Sequence, residues 1–446
     1  MKNNKIIILF ACIFLLGTSM WGQVDTSKKL PAPNTAGTYH TTVVPAYDNL
    51  PQPYATKSVR NPAQVLGWGF NSAPLAPAGF KVSNFGNALK SPRWIYVLPN
   101  GDVLVAEVKR EYNPLMKAAL FLKNRENPDS DSVNMNRITL LRDKNGDGQA
   151  EVQEVFLEGL NYPFGMVLVK DHFYVACTNA VWRFPYKEGE TKITGKGEKI
   201  LELPNHGRHW TRNIIANKEG TKLYIAVGSS SNVAEDGMDE EKRRACIIEI
   251  NPDGTGEKIY ASGLRNPVGM DWMPGTNVLW TAVNERDELG DDLVPDYMTA
   301  VKKDGFYGWP YAYWGAHVDP RIKGDDQRPE LVKKSIKPDV NLGSHTASLG
   351  LAFYNKKVFP KKYNNGAFVG QHGSWNRFVP SGYKVVFVPF KNGKPGTPED
   401  FLTGFMADWQ ENEVYGRPVG VAVMNDGSLL VADDAGNRIW RVSYGK

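Results

Sequence analysis

An apolar strand, a turn built from Asn, Asp and Gly, and a second apolar strand recur along most of this chain. A chain with that repeat must stack similar units rather than enclose one large core. The first copy runs Ser91-Pro92-Arg93-Trp94-Ile95-Tyr96-Val97-Leu98-Pro99-Asn100-Gly101-Asp102-Val103-Leu104-Val105-Ala106. Further copies start at Tyr162-Pro163-Phe164-Gly165, His209-Trp210-Thr211-Arg212, Arg265-Asn266-Pro267-Val268-Gly269, Ser348-Leu349-Gly350 and Arg417-Pro418-Val419-Gly420. Six copies, separated by roughly 50 to 80 residues, fit the blades of an all-β, six-bladed β-propeller with insertions. The strand before each turn is expected nearest the axis. Long patterns of period 3.6 are absent, which argues against α/β classes. A pair of β-sandwiches is the rival architecture.

Composition agrees with many short strands. The 446 residues include 43 Gly and 29 Pro, with 41% hydrophobic and 23% charged residues. This is the balance of a globular chain. The formal charge of +5 is mild and no basic tract occurs, so nucleic acid is not implied as a partner. Residues 1–22 read as an export signal, because Lys2 and Lys5 precede an apolar run, Ile6 to Leu16, too short to span a bilayer. The mature chain is then expected in the periplasm or secreted, with no membrane span; an uncleaved anchor is the alternative. Residues 23–79, rich in Pro, Thr, Asn and Ala, read as an extended N-terminal arm, and residues 80–446 as the propeller. After the leader only Cys177 and Cys246 remain, each in an apolar run, and they are expected as two buried thiols rather than one disulfide.

Equivalent positions in a propeller face the same end of the channel. Just before the inner strands stand His209, Arg265, Asn266 and Arg417, with His345 slightly upstream. Cations gathered there suit an anionic ligand; alternatively each braces its own loop. Separately, Asp143, Asn145, Asp147 and Glu154 fit a D-x-N-x-D-G-x5-E calcium loop. Its flanks read as strands, so a calcium-binding hairpin and a metal-free turn both stay open.

The segment Gly263-Leu264-Arg265-Asn266-Pro267-Val268-Gly269 resembles the R-N-P-x-G strand of the soluble quinoprotein glucose and sorbosone dehydrogenases. His209-Trp210-Thr211-Arg212, Asn284-Glu285-Arg286-Asp287, Asp291-Asp292, Phe306-Tyr307-Gly308-Trp309-Pro310, His372-Gly373-Ser374-Trp375-Asn376-Arg377 and Gly416-Arg417-Pro418 stand in that family's order. The resemblance runs from about Phe80 to Tyr444, closest to the sorbosone branch. It implies a dehydrogenase that passes a hydride from a sugar or sugar-derived aldehyde to pyrroloquinoline quinone (PQQ), a planar tricarboxylate. By the same resemblance His209 is the general base, Arg265, Arg377 and Arg417 meet the PQQ carboxylates, and Asn266 donates to the quinone edge. A Ca²⁺ against the quinone would take the backbone carbonyls of Glu285 and Arg286. No C-x-x-C-H haem motif is present, so electrons would leave to a separate acceptor, a cytochrome or a quinone. A metal-dependent propeller lactonase and a non-catalytic carbohydrate-binding propeller remain as alternatives, the former wanting carboxylates on the axis.

Overall fold

The computed structural model describes residues 49–109 and 135–445. The leader at residues 1–22 and the first part of the arm, residues 23–48, lie outside the described residues. Among the described residues three small sheets of two or three strands stand beside six larger ones, five of four strands and one of five, here numbered I to VI. Their first strands are Pro92–Val97, Pro163–Val169, Arg212–Ala216, Pro267–Trp272, Ser348–Phe353 and Pro418–Val423, the copies that the sequence repeat picks out. Sheet III gains its fifth strand, Gly305–Phe306, in parallel from the insertion that follows sheet IV's third strand. Sheet VI is completed by Phe80–Gly86, which pairs antiparallel with Arg438–Tyr444 and so joins the two ends of the domain. Among the described residues the α-helix Pro329–Lys334 is short and lies in that same insertion.

The first strands pack on one another in a ring, the arrangement of a six-bladed propeller. Four of these contacts need a glycine. A Cβ on Gly165 of sheet II would lie 2.5 Å from the Ile214 nitrogen of sheet III. One on Gly269 of sheet IV would lie 2.7 Å from the Leu349 carbonyl of sheet V. One on Gly350 of sheet V would lie 2.2 Å from the Val419 carbonyl of sheet VI, and one on Gly420 of sheet VI 2.8 Å from the Arg93 carbonyl of sheet I. The remaining two contacts use side chains. Trp94 of sheet I meets Phe164 of sheet II with ring centroids 5.0 Å apart, and Asn213 of sheet III donates to the Val268 carbonyl of sheet IV at 2.7 Å. Between neighbouring sheets lie apolar layers, as sheet-on-sheet packing requires. Cys177 and Cys246 are unpaired and buried in two different layers, where burial raises both thiols, that of Cys246 to about 12.

In every sheet the start of the first strand pairs with the end of the second: Pro92 with Glu107, Pro163 with Cys177, Arg212 with Val227, Pro267 with Val283, Ser348 with Gln371, Pro418 with Asp433. In all except sheet III a bulge follows at once, which re-aims the residues at this end. Two short segments per sheet therefore meet at one mouth of the ring.

Because the ring closes through bare backbone, Gly350→Ala should drive a methyl into the Val419 carbonyl. Overpacking of this kind costs about 1–3 kcal/mol, read as a lowered denaturant midpoint with an unchanged slope. A variant as stable as wild type would show that the two sheets can separate at no cost.

Candidate active site

At this mouth His209 is held by one side of its ring. Its Nδ1 lies 2.8 Å from the Ser229 carbonyl and 3.0 Å from Ser229 Oγ. A carbonyl can only accept, so Nδ1 carries the proton and Nε2 is left with its lone pair. Nε2 makes no hydrogen bond among the described residues. The loop behind it is tied by two buried arginines: Arg212 donates to the His209 carbonyl at 3.0 Å, and Arg244 to the same carbonyl at 3.0 Å and to that of Ser229 at 3.1 Å. Burial, followed by the nearby Arg265 charge, lowers His209 well below the ordinary imidazole value. The ring is therefore neutral at physiological pH.

Asn266 stands beside it. Gly228 separates the two: a Cβ there would lie 2.2 Å from Asn266 Oδ1 and 2.7 Å from His209 Cβ. Asn266 is 6% exposed, and its buried Oδ1 has no hydrogen-bond partner among the described residues. A buried amide without partners costs free energy unless something else meets it.

Arg265 reaches the same region but is spent on the protein. Its Nη1 donates to the Glu285 carbonyl at 2.6 Å, and its Nη2 to Asn232 Oδ1 at 2.9 Å and Asp287 Oδ2 at 3.2 Å. Asp287 also accepts from Asn376 at 2.8 Å and faces His345 Nδ1 at 3.5 Å. Burial works against an ionised Asp287, but His345, Arg265 and Asn376 outweigh it and hold the carboxyl below its usual range. The same contact outweighs burial at His345 and raises that imidazole, whose Nε2 donates to the Gly290 carbonyl at 2.8 Å.

Across the mouth, Arg417 donates to the His372 and Gly373 carbonyls at 3.0 and 2.9 Å, and its guanidinium lies 5.5 Å from the centre of the Tyr383 ring. Its Nη1 makes no hydrogen bond among the described residues, and it forms no ion pair there. Asp433, saturated by four donors, fixes the Arg417 backbone nitrogen at 2.8 Å. Asp434 pairs with Arg93 and with His372 Nε2 at 2.9 Å. Burial and then Arg417 push His372 down to about 4, against the pull of Asp434, so it too is neutral. Arg93 in turn lies over Trp210, 5.6 Å from the ring centre.

The mouth thus gathers His209, Arg265, Asn266, Arg417 and His345, and adds Asp287, Arg93, His372 and Asp434. Most of the added residues stand at or just beyond the ends of second strands, positions as repetitive as the first-strand starts. Arg377 is ion-paired to Asp292 and its backbone is tied to Asn61 of the arm, so it braces two loops. The Glu285 and Arg286 side chains pair with each other, and Arg286 runs outward to Asp319 and the Pro310 and Ala312 carbonyls. Of their backbone carbonyls, that of Glu285 already accepts from Arg265, whereas that of Arg286 accepts nothing among the described residues.

The segment that fits a calcium-loop pattern is a hairpin turn between the strands Arg137–Arg142 and Val152–Leu157. Asp143, Asp147 and Glu151, not Glu154, bring their carboxylates within 4.8 Å of one another. Glu154 is displaced because the strand has already begun and pairs it opposite Leu140. Asn145 and the two aspartates are occupied with backbone nitrogens of the turn, Asp143 accepting from Gly146 and Gly148 at 2.7 and 2.8 Å.

Residues 74–304 and 317–445 match the TrAA12-like family. An uncharacterised Borreliella burgdorferi protein is 34% identical over 300 residues, 64% of this chain and 77% of that one. The Escherichia coli aldose sugar dehydrogenase YliI is 28% identical over 195 residues, 40% of this chain and half of its own length. The calcium structure of the Trichoderma reesei carbohydrate-active enzyme of family AA12 superposes with a TM-score of 0.68 at 18% identity, over 86% of this chain and 99% of that one. The holo PQQ domain of Coprinopsis cinerea pyranose dehydrogenase gives 0.66 at 19% identity, over 85% and 98%. At such identities the structural likeness speaks for the fold; the matched segments, spanning nearly the whole described chain, show that it belongs to the TrAA12-like family of soluble PQQ-dependent glucose and aldose sugar dehydrogenases.

Proposed function

We propose that the chain is an exported quinoprotein oxidoreductase that oxidises a sugar or sugar-derived aldehyde, with His209 as general base. The observation that carries this reading is a neutral imidazole with its Nε2 lone pair open, standing beside Asn266, whose buried amide oxygen has no partner among the described residues. The named activities of the Escherichia coli and Coprinopsis cinerea proteins support it.

The residues fit an anionic, planar cofactor. Arg417 offers an unspent Nη1 and forms no ion pair among the described residues, while Asn266, whose Oδ1 is left without a partner there, stands beside His209. Guanidinium suits carboxylate because it stays charged and can donate in a fork. Arg265 contributes its charge from beneath rather than a free donor. When bound, PQQ supplies a two-electron hydride acceptor and Ca²⁺ polarises its carbonyl. The Arg286 carbonyl and the second lone pair of the Glu285 carbonyl would hold the ion. His209 Nε2 takes the substrate hydroxyl proton, while the Ser229 carbonyl keeps the ring from rotating. The carbon bearing that hydroxyl then loses its hydrogen as hydride. The carboxylate-lined axis that a lactonase wants is not favoured, since the mouth carboxylates are spent within the protein: Asp287 and Asp434 on cations or histidines, Glu107 on Arg137, and Asp433 on its four donors.

The Asp143–Glu151 hairpin is proposed as a second Ca²⁺ site, on its three carboxylates. Export to the periplasm or medium follows from the leader sequence alone.

Reconstitution of purified apoprotein with PQQ and Ca²⁺, followed by a screen of aldoses with an artificial acceptor, tests the function. Dye reduction should vanish on chelation and return with Ca²⁺; full turnover without PQQ or metal would sink it. Arg417→Ala should weaken PQQ binding on the order of tenfold or more, the worth of a charge-assisted hydrogen bond of about 1.5–3 kcal/mol. An unchanged titration curve would remove Arg417 from the site.

His209→Gln should leave PQQ affinity nearly intact yet slow single-turnover cofactor reduction by roughly 10²–10⁴, the usual worth of a positioned base. The pH profile carries a sign. A base held below the ordinary imidazole value stays unprotonated as pH falls through about 6.5. The acid limb of wild-type kcat/KM should therefore lie below that value, and should be lost in the variant. A limb at or above the ordinary value would mean that His209 is not the group titrating.

A further inference from the structure

We infer that the cavity behind Tyr383 binds a planar quinone-class electron acceptor, which takes the reducing equivalents produced at the mouth. The cavity has a volume of about 290 Å³ and is lined by Val379 to Lys384, Asp400, Thr403, Gly404, Met406 and Trp409. That size sits at the lower end of ligand pockets, which are mostly apolar with a few placed polar groups. Its lining is mostly apolar, as a polyhydroxylated sugar would not want. Trp409 and Val379 are 46% and 42% exposed, large apolar surface left open to a ligand. An indole face is suited to stacking on a flat ring. One cation stands at the rim: Lys384 Nζ, 2.6 Å from Asp400 Oδ1, retains donors that can meet a quinone carbonyl.

Position makes the assignment specific. The inner wall of the cavity is the segment Ser381-Gly382-Tyr383. That wall lies directly against the segment that holds Arg417. Ser374 donates its backbone N–H to the Ser381 carbonyl at 2.9 Å, and the Tyr383 hydroxyl donates to the Ser374 carbonyl. A Cβ on Gly373 would lie 2.4 Å from the Tyr383 ring, whose centre is 5.5 Å from the Arg417 guanidinium. Only two chain segments therefore separate the cavity from the cation ring, about 10 Å at strand spacing, a distance that electrons can tunnel. The two small residues, Gly373 and Gly382, are what let these segments touch: a Cβ on Gly382 would lie 2.9 Å from Gly373 Cα.

The electron balance closes. The substrate carbon gives up one hydride and its hydroxyl one proton, two electrons and two protons in all. The acceptor gains both, its two carbonyl oxygens becoming hydroxyls of a hydroquinone, and the protons exchange with solvent. This inference rests on the quinoprotein reading for the source of electrons, but not for the binding itself.

The test uses 1,4-naphthoquinone and the full chain. Calorimetric titration of the apoprotein should show saturable one-to-one binding. Trp409→Ala and, separately, Val379→Lys should weaken it tenfold or more, and Trp409→Phe should retain most of it. In the PQQ- and Ca²⁺-loaded enzyme, Trp409→Ala should raise the KM for naphthoquinone at least tenfold, with the rate to ferricyanide and the KM for sugar unchanged. No binding to the apoprotein, equal binding by wild type and both disruptive variants, or displacement by a simple pyranose at equal concentration would overturn it. Failure of the quinoprotein reading would look different: no turnover with any acceptor, while the naphthoquinone titration and its loss in Trp409→Ala persist.

Discussion

The pairing of Phe80–Gly86 with Arg438–Tyr444 is the interaction on which the rest of the molecule leans. A ring of sheets has no free edge only if its last sheet is finished by the other end of the chain. The contact is heavily reinforced. The Phe80 ring lies within 4.8–5.4 Å of Phe359, Tyr363, Phe401 and Tyr444, so the closing strand is also pinned to sheet V. Just upstream, Trp68 packs on Phe405, Tyr415 and Trp440 and donates to Asp433 at 2.6 Å. Asp433 is the carboxylate that fixes the backbone of Arg417. Closure of the ring and placement of a mouth cation are thus one structure, and the arm serves both.

The repeat was legible because its physics is local. Pro at the start of the first strand in sheets I, II, IV and VI, and Gly at its third position in sheets II, IV, V and VI, are read within a short window, and no sheet but III lacks both. Position along the repeat then sufficed to bring His209, Arg265, Asn266 and Arg417 to one end. What was illegible depends on partners far away in sequence. Arg377 looks like a free cation until Asp292, 85 residues earlier, takes it. Arg93 and His372 acquire meaning only through Asp434. Glu154 fits a calcium pattern by count, yet the count presumes a helix after the loop, and a strand turns the residue elsewhere. The arm's attachments, Asn61 to the Phe378 carbonyl and the Thr56 hydroxyl to Asp291, span more than two hundred residues and leave no periodic trace.

Burial of charge explains why the mouth is built from carbonyls as much as from carboxylates. A buried guanidinium must have its donors met, or the fold loses several kcal/mol. Had each arginine been met by a carboxylate, the mouth would be neutral and indifferent to anions. Instead Arg212 and Arg244 rest on the carbonyls of Pro204, His209 and Ser229, and Arg417 on those of His372 and Gly373. Carbonyl dipoles satisfy donors without cancelling charge. Arg265 and Arg93 do meet Asp287 and Asp434, but each carboxylate is shared with a second positive or polar partner. Most guanidinium donors are met in this way, the buried Nε atoms of Arg93, Arg212 and Arg244 being left without a partner among the described residues, and the positive charge is not cancelled.

That surplus couples the proposed anion site to the proposed base. Arg265 is the largest charge acting on His209 and, after burial, the main reason its imidazole resists protonation. An anion settling over Arg265 and Arg417 opposes that field, and opposing it must raise the proton affinity of a group a few ångströms away. The Ser229 carbonyl does not compete, because it holds Nδ1 and leaves Nε2 alone. Without an anion the base is weak and stays unprotonated, ready but with little pull on a hydroxyl. With one, in the proposed reading, the same imidazole gains proton affinity, while burial, the larger cause, still holds it below the ordinary histidine value. In the proposed reading the cations that would recruit the ligand also moderate the basicity of His209, and no moving part is needed to link the two.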